Sequence, residues 1–186
     1  MPVTLIGARW VGGYLELYNT VTGSTIVTVN TAGISRASQE RVMNISAKAG
    51  ATAGWTVGGG AVNVGILATL PASQTSSTLV VPITGLKVGD TITAFKLNAQ
   101  IESAGGAVTL DADLRKRTCA AGDFSDASVG AITQVAVTAD TAVASAKTGL
   151  SDTVAADEVF YVLLTGTTAA VTDIDLGSIT VTVTES

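Results

Sequence analysis

Histidine is missing altogether from the 186 residues. With it go the Ser-His-Asp and Cys-His arrangements, imidazole-bound metals and the commonest general base. Cysteine occurs once, as Cys119, so no internal disulfide can form and stability beyond the core has to come from association. Charged residues make up only 13% of the chain against 47% hydrophobic. That is the reverse of a disordered chain, which lacks apolar surface and carries high net charge. Long apolar runs are also lacking: no stretch approaches the ~20 residues that a membrane span needs, and a soluble protein with no membrane partner is expected. The opening, Met1 to Tyr14, has no basic start, apolar block and small-residue cleavage site of a secretory signal, so synthesis in a cytoplasm is expected. Lys and Arg form no cluster with interleaved aromatics, and the net charge is −5. Nucleic acid is therefore not expected as a partner.

What the chain does have is β-branched residues at even spacing. Tyr14-Leu15-Glu16-Leu17-Tyr18 alternates, Thr22-Gly23 supplies a turn, and Thr25 to Val29 returns, which predicts a hairpin over 14–29. An isolated hairpin is only marginally stable in water, so this one must dock. Residues 30–60 are rich in Gly, Ala, Ser and Asn, with one short helix-like piece near Gln39 to Ala47. The expected organisation is a hairpin arm over 1–45, a Gly/Ala-rich linker over 46–60 and a β-sandwich over 61–186. Apolar runs near 61–69, 77–83, 91–103, 107–116, 129–139, 142–148, 158–166 and 173–184 suggest eight strands. The fold class read from them is all-β, an eight-stranded antiparallel, jelly-roll-like sandwich behind an N-terminal hairpin.

Four finer expectations follow from the same pattern. Phe95, Leu97, Ala99 and Ile101, then Val108, Leu110, Ala112 and Leu114, alternate around Ser103 to Gly106. They predict a hairpin that sets Ile101 against Val108, Ala99 against Leu110 and Phe95 against Leu114, with Lys96 opposite Asp113. Val159 to Leu164 is apolar without alternation, as suits a strand covered on both faces or one whose outer face meets another subunit; the second is preferred. The last run changes phase between Leu176 and Ile179, which predicts a β-bulge at Gly177-Ser178. Pro71 and Pro82 fall at strand ends, where a missing N–H does least harm.

The search for chemistry returns little. Cys119 could act as a nucleophile only with a base other than histidine, and reads as a small loop or core residue. Gly58-Gly59-Gly60 is not followed by the Lys-Ser/Thr of a phosphate loop. Asp111 with Asp113, and Asp173 with Asp175, lie two apart on strands, where paired carboxylates can bind Ca²⁺ or work as acid and base. The loop Asp123 to Asp126 is a second weak Ca²⁺ candidate. Solvated strand faces are the plainer reading of all of them, and neither a metal, a cofactor nor an enzymatic activity is expected.

Aromatic residues are scarce, yet Trp10, Tyr14, Tyr18 and Trp55 all precede the sandwich. The same region is mildly basic, with Arg9, Arg36, Arg41 and Lys48 against Glu16 and Glu40. A segment too small for its own core that holds large aromatics is expected to use them as anchors. The candidate interface residues are Arg9, Trp10, Tyr14, Leu15, Leu17, Tyr18 and Trp55. Against this stands a plainer possibility, that the aromatics cover the bottom of the same subunit's sandwich.

Two stretches carry a resemblance. Arg9 to Tyr18, continuing through Thr22-Gly23 to Ile26, resembles the short N-terminal hairpin of phage head-associated proteins. Thr84-Gly85-Leu86-Lys87-Val88-Gly89-Asp90-Thr91-Ile92, with the strands after it, is similar to tailed-phage head decoration or cement-type β-sandwich proteins. The resemblance implies a structural protein on the capsid surface of a virion, made in the host cytoplasm. Its partners would be the major capsid protein or other shell subunits and further copies of itself, as in a trimer. It carries over no functional residue, because such proteins act by surface contact. The alternative is a receptor- or glycan-binding module of a tail fibre or bacterial surface protein, since jelly rolls often serve as lectins.

Overall fold

A computed structural model describes residues 6–11, 14–30, 33–36, 40–45, 54–57, 67–101, 107–120 and 122–185. Among these the chain is all-β, with fourteen strands in three antiparallel sheets and no helix. It divides into two compact units, Met1–Gln39 and Glu40–Ser186.

The first unit is a meander of β1 (Ile6–Val11), β2 (Tyr14–Asn19), β3 (Thr25–Asn30) and β4 (Gly33–Arg36), paired in that order. Its turn is built by Asn19, whose Oδ1 accepts from the N–H groups of Val21 at 2.8 Å and Thr22 at 3.2 Å. Gly23, at φ +72, then takes the left-handed step that closes it. The expected hairpin is the inner pair of this sheet, and β1 and β4 extend it on either side. The reason is visible in the register: Ala8 and Trp10 stand opposite Leu17 and Leu15, so apolar residues line up across β1 and β2.

The second unit begins earlier than expected. Glu40–Ile45, read above as helix-like and part of the arm, is strand β5, laddered along Ile179–Thr184 of β14. Local propensity yields here to an open strand edge that needs backbone partners. Next come β6 (Thr56–Val57), β7 (Ala68–Leu70), β8 (Ser77–Ile83), β9 (Thr91–Ile101) and β10 (Thr109–Ala120). The chain ends with β11 (Asp123–Ile132), β12 (Val143–Thr153), β13 (Glu158–Thr167) and β14 (Ile174–Thr184). One sheet has the order β11-β10-β13-β8; the other runs β12-β9-β14-β7-β6, with β5 also on β14.

The buried faces of these two sheets share one hydrophobic cluster, which includes Leu79, Val81, Phe95, Leu97, Leu110, Leu114, Val162, Leu164, Leu176 and Val181. Each such side chain contributes roughly 1.5–3 kcal/mol by leaving water. The alternation read from β9 and β10 places the right residues inside, but the predicted hairpin between them does not form. β9 pairs with β12 and β14, and β10 with β11 and β13. Phe95 and Leu114 therefore both belong to the core without being cross-strand neighbours, and Lys96 is not opposite Asp113. A period of two fixes which face is buried; it does not choose the strand alongside.

The phase change in β14 is a bulge as expected: Leu176 pairs with Ala99 and Ser178 with Asn98, leaving Gly177 without a partner. Pro71 follows directly on β7, and Pro82 lies one residue from the end of β8. Most of the expected linker, 46–53 and 58–60, lies outside the described residues, as do 61–66. Trp55 is described, and it is a core residue at 6% exposure, its indole N–H donating to the Ser77 carbonyl at 3.2 Å. Room for it comes from Gly166 on β13, where an added Cβ would stand 3.3 Å from the indole and 2.5 Å from Leu70 Cδ2.

Candidate functional site

The N-terminal sheet separates its side chains by face. Arg9 and Glu16 are opposite one another in register and form an ion pair at 2.7 Å, with Glu16 largely buried. The same guanidinium lies 4.9 Å from the centre of the Tyr18 ring. That ring sits over Gly7, where an added Cβ would be 2.5 Å from Tyr18 Cζ. This face is satisfied internally by charge, stacking and close approach. Alternation puts Ile6, Ala8 and Trp10 of β1 on the other face, in register with Leu17 and Leu15 of β2 and, beyond Leu17, Val27 of β3. Ile6 is 63% exposed and Trp10 75%. Six of the candidate interface residues therefore share this sheet: Arg9 and Tyr18 on one face, Trp10, Leu15 and Leu17 on the other, and Tyr14 as the first residue of β2. Trp55 does not join them, because its apolar body fills the sandwich core.

A second surface lies in the second unit, on the outside of the sheet β11-β10-β13-β8. Phe160, Val162 and Leu164 of β13 point into the core, so Val159, Tyr161 and Leu163 point out. In register beside them stand Arg117, Arg115 and Asp113 of β10, and on the other side Pro82 and Val80 of β8. All of these except Asp113 line an open groove of about 680 Å³. At its polar side Asp126 is the hub: the Tyr161 hydroxyl donates to it at 2.6 Å, Arg115 Nε at 3.2 Å, and the Arg117 guanidinium is 3.7 Å away. Arg115 also donates to Asp113 at 2.7 Å. The Tyr161 hydrogen bond and the two guanidinium charges hold the Asp126 carboxyl below its usual range. Tyr161 is pushed up by burial and by donating to that carboxylate. Arg115 is raised chiefly by its hydrogen bond to Asp113, and stays a cation at any pH the fold meets.

The carboxylates considered for Ca²⁺ are taken up by donors of the chain itself, Asp113 and Asp126 sharing Arg115. Asp111 accepts from the Gln134 N–H at 2.7 Å, Asp113 takes Arg115 and the Ser128 hydroxyl, and Asp123 accepts from the Phe124 N–H. Asp123 to Asp126 is not a loop but the start of β11. Asp175 is buried, accepts from the Thr69 hydroxyl at 2.6 Å, and has its pKa raised by burial. Among the described residues no three metal-ligating side chains come together.

A third feature ties the chain together. Arg41 of β5 donates to Asp90 at 3.0 Å and to the Gly85 carbonyl at 3.2 Å, and meets Glu185 at 3.1 Å. Asp90, 1% exposed, also accepts from the Lys87 N–H at 3.0 Å. The Gly85–Asp90 connection, part of the segment that carries the second resemblance, is thereby clasped to β5.

Sequence reasoning singled out residues that share the N-terminal sheet, and in Val159 to Leu164 the strand at the centre of the groove. It missed Arg115, Arg117 and Val80, whose relevance appears only once β10 and β8 are known to flank β13. No protein-family model matches the chain, and no curated protein is similar to it. A chain in the structure of infectious bursal disease virus, Gt strain, is similar with a TM-score of 0.45 and 9% identity, over 91% of this chain and 42% of that one. This chain thus spans less than half the length of that neighbour, and at this level the likeness bears on neither family nor activity.

Proposed function

We propose that the chain is a non-enzymatic virion structural protein, a capsid decoration or cement protein. In this reading its N-terminal sheet binds the major capsid protein or another shell subunit, and its sandwich stands on the capsid surface and meets neighbouring copies. The observation that carries the reading is the one-sided N-terminal sheet. Its polar face is satisfied by Arg9, Glu16 and Tyr18, while its apolar face offers Ile6 and Trp10 at 63% and 75% exposure. A sheet of this size gains most of its stability when a second layer covers the apolar face. An exposed Trp on such a face is the kind of anchor that dominates interface energetics.

The second unit suits a rigid knob. Strands β7 to β14 divide four and four, and the orders β12-β9-β14-β7 and β11-β10-β13-β8 describe the wrap of a jelly roll. The lack of histidine and the engagement of Asp111, Asp113, Asp123 and Asp126 by donors of the chain itself support a non-catalytic role. Repeated over a shell, many modest contacts add up to durable attachment.

Co-sedimentation with purified shells tests the reading. The intact protein is expected to co-sediment, and Trp10→Ser is expected to weaken binding by about thirtyfold, as loss of a hot-spot residue does, while leaving the melting of the second unit unchanged. Equal binding by a folded Trp10→Ser protein and by one lacking residues 1–39 would overturn it.

A further inference from the structure

We propose that the outer face of the sheet β11-β10-β13-β8 is a self-association surface, covered by a second copy of this chain. The proposal supplies the copy-to-copy half of the reading above and rests on it only there.

The face is apolar over a continuous strip. Val80 and Pro82 of β8 and Tyr161 and Leu163 of β13 floor the groove, and Val159 is 53% exposed at its side. Two residues along β11 from Asp126, alternation sets Phe124, 72% exposed, on this same face. Large apolar side chains gathered on one face of a chain with only 13% charged residues mark a contact surface.

Charge decides the occupant. A strongly acidic or basic partner calls for a surface of the opposite sign, and this face has little net charge: the guanidinium of Arg115 is matched by Asp113 and that of Arg117 by Asp126, which leaves Asp111, held by the Gln134 N–H, at the far end of β10. Both pairs are already assembled, so they can be covered without leaving a buried charge uncompensated. The whole chain carries −5, so two copies repel wherever their acidic surfaces face each other. A neutral, apolar strip is where two such bodies can meet without that repulsion. A saccharide platform would instead line its groove with several exposed aromatic rings, whereas of the two rings lining this one Phe160 is buried and only Tyr161 faces outward, with Phe124 outside the groove.

Cys119 provides a built-in reporter. It is exposed, and it lies two residues beyond Arg117 on β10, hence on the same face and opposite Phe124 in register. Its thiol is expected to lose accessibility when a second copy covers the strip.

The test uses the full chain with no shell present, so its failure is distinct from a failure of shell binding. Sedimentation equilibrium is expected to give an oligomer at micromolar concentration. Val159→Glu and Phe124→Glu, both at exposed positions that leave the core intact, are each expected to raise the dissociation constant at least about tenfold. Val171→Glu, exposed on the β13–β14 connection, is expected to leave it unchanged. Alkylation of Cys119 is expected to speed up about tenfold on dilution below the dissociation constant and in Val159→Glu. A monomer at about 100 μM, or an oligomer whose dissociation and Cys119 alkylation ignore both glutamate substitutions, overturns the proposal.

Discussion

Trp55 and Gly166 occupy one shared space: a Cβ on Gly166 would come within 3.3 Å of the indole and 2.5 Å of Leu70 Cδ2. The residue that reaches in from the N-terminal side of the sandwich and the glycine that leaves room for it are more than a hundred positions apart in sequence. Gly166→Ala is expected to destabilise the second unit by about 1–3 kcal/mol through overpacking, and Trp55→Ala by about 3–5 kcal/mol through the cavity it leaves. Urea denaturation followed by circular dichroism measures both. A Trp55→Ala protein as stable as the parent would mean that the indole is not a core residue.

The bulge in β14 makes a deletion prediction. Gly177 sits between Leu176 and Ser178 without a partner on β9, at the point where β7 gives way to β5 along the other edge of β14. Removing it leaves Leu176 and Ile179 facing the core, now with regular alternation between them. Removing Thr180 instead sends either Ile179 or the pair Val181 and Val183 to the outside. The Gly177 deletion is expected to fold, and the Thr180 deletion is expected to lose cooperative unfolding. Melting curves of the two proteins separate these outcomes.

Asp175 gives the fold a pH dependence of a definite sign. Burial pushes its pKa up, the charge of Asp173 adds to this, and the Thr69 hydroxyl partly opposes it. A folded pKa above the unfolded one means that the native state holds this proton more tightly. The contribution is therefore complete below the unfolded value and is lost as pH rises through the folded one. Asp175→Asn still accepts from Thr69 but does not ionise, so its stability is expected to fall less than the parent's between about pH 4 and about pH 7. Chemical denaturation at the two pH values is the check, and an identical fall in both proteins would rule the mechanism out.

At Arg41 the prediction concerns a single partner. Arg41→Met leaves the Asp90 carboxylate buried with the Lys87 N–H, and removes a donor from the Gly85 carbonyl. The expected loss is about 2–3 kcal/mol, since Arg41 is itself partly solvated. Adding Asp90→Asn, which removes the stranded charge, is expected to recover part of it in the same urea experiment.

Tyr161→Phe tests the electrostatics of the groove. The tyrosine hydroxyl is the largest influence holding Asp126 low, so its removal is expected to move the Asp126 carboxyl upward toward its ordinary value. Carboxyl chemical shifts followed through an acid titration report this directly, and no change would mean that the hydroxyl points elsewhere.

Much of the second unit was legible because its strands alternate. Leu79, Val81, Leu97, Leu110, Val162 and Leu164 are inside where the period of two puts them, and the bulge at Gly177 showed as a break in that period. Partner choice was not legible: β9 and β10 carry equally regular alternation, and nothing local distinguishes a hairpin from a crossing between sheets. β5 was hidden for a different reason. Glu40 to Ile45 has no strong strand pattern of its own and becomes a strand because the edge of β14 is open to it. The groove was half legible, since Val159 to Leu164 announced a doubly apolar strand, but Arg115 and Asp126 are brought beside Tyr161 only by the pairing of β11, β10 and β13. The N-terminal sheet was read as a hairpin because Thr22-Gly23 is an obvious turn, whereas the pairing of β1 and β4 depends on register across it.

The ladder between β5 and β14 also defines a path for mechanical load. Residues 1–39 are joined to the rest of the chain at Glu40, the first residue of β5, which stands opposite Thr184. Tension on the N-terminal sheet therefore enters the second unit through six cross-strand residue pairs and the Arg41 clasp before it can reach the sandwich core. That ladder is thus the first part of the second unit to bear such a load.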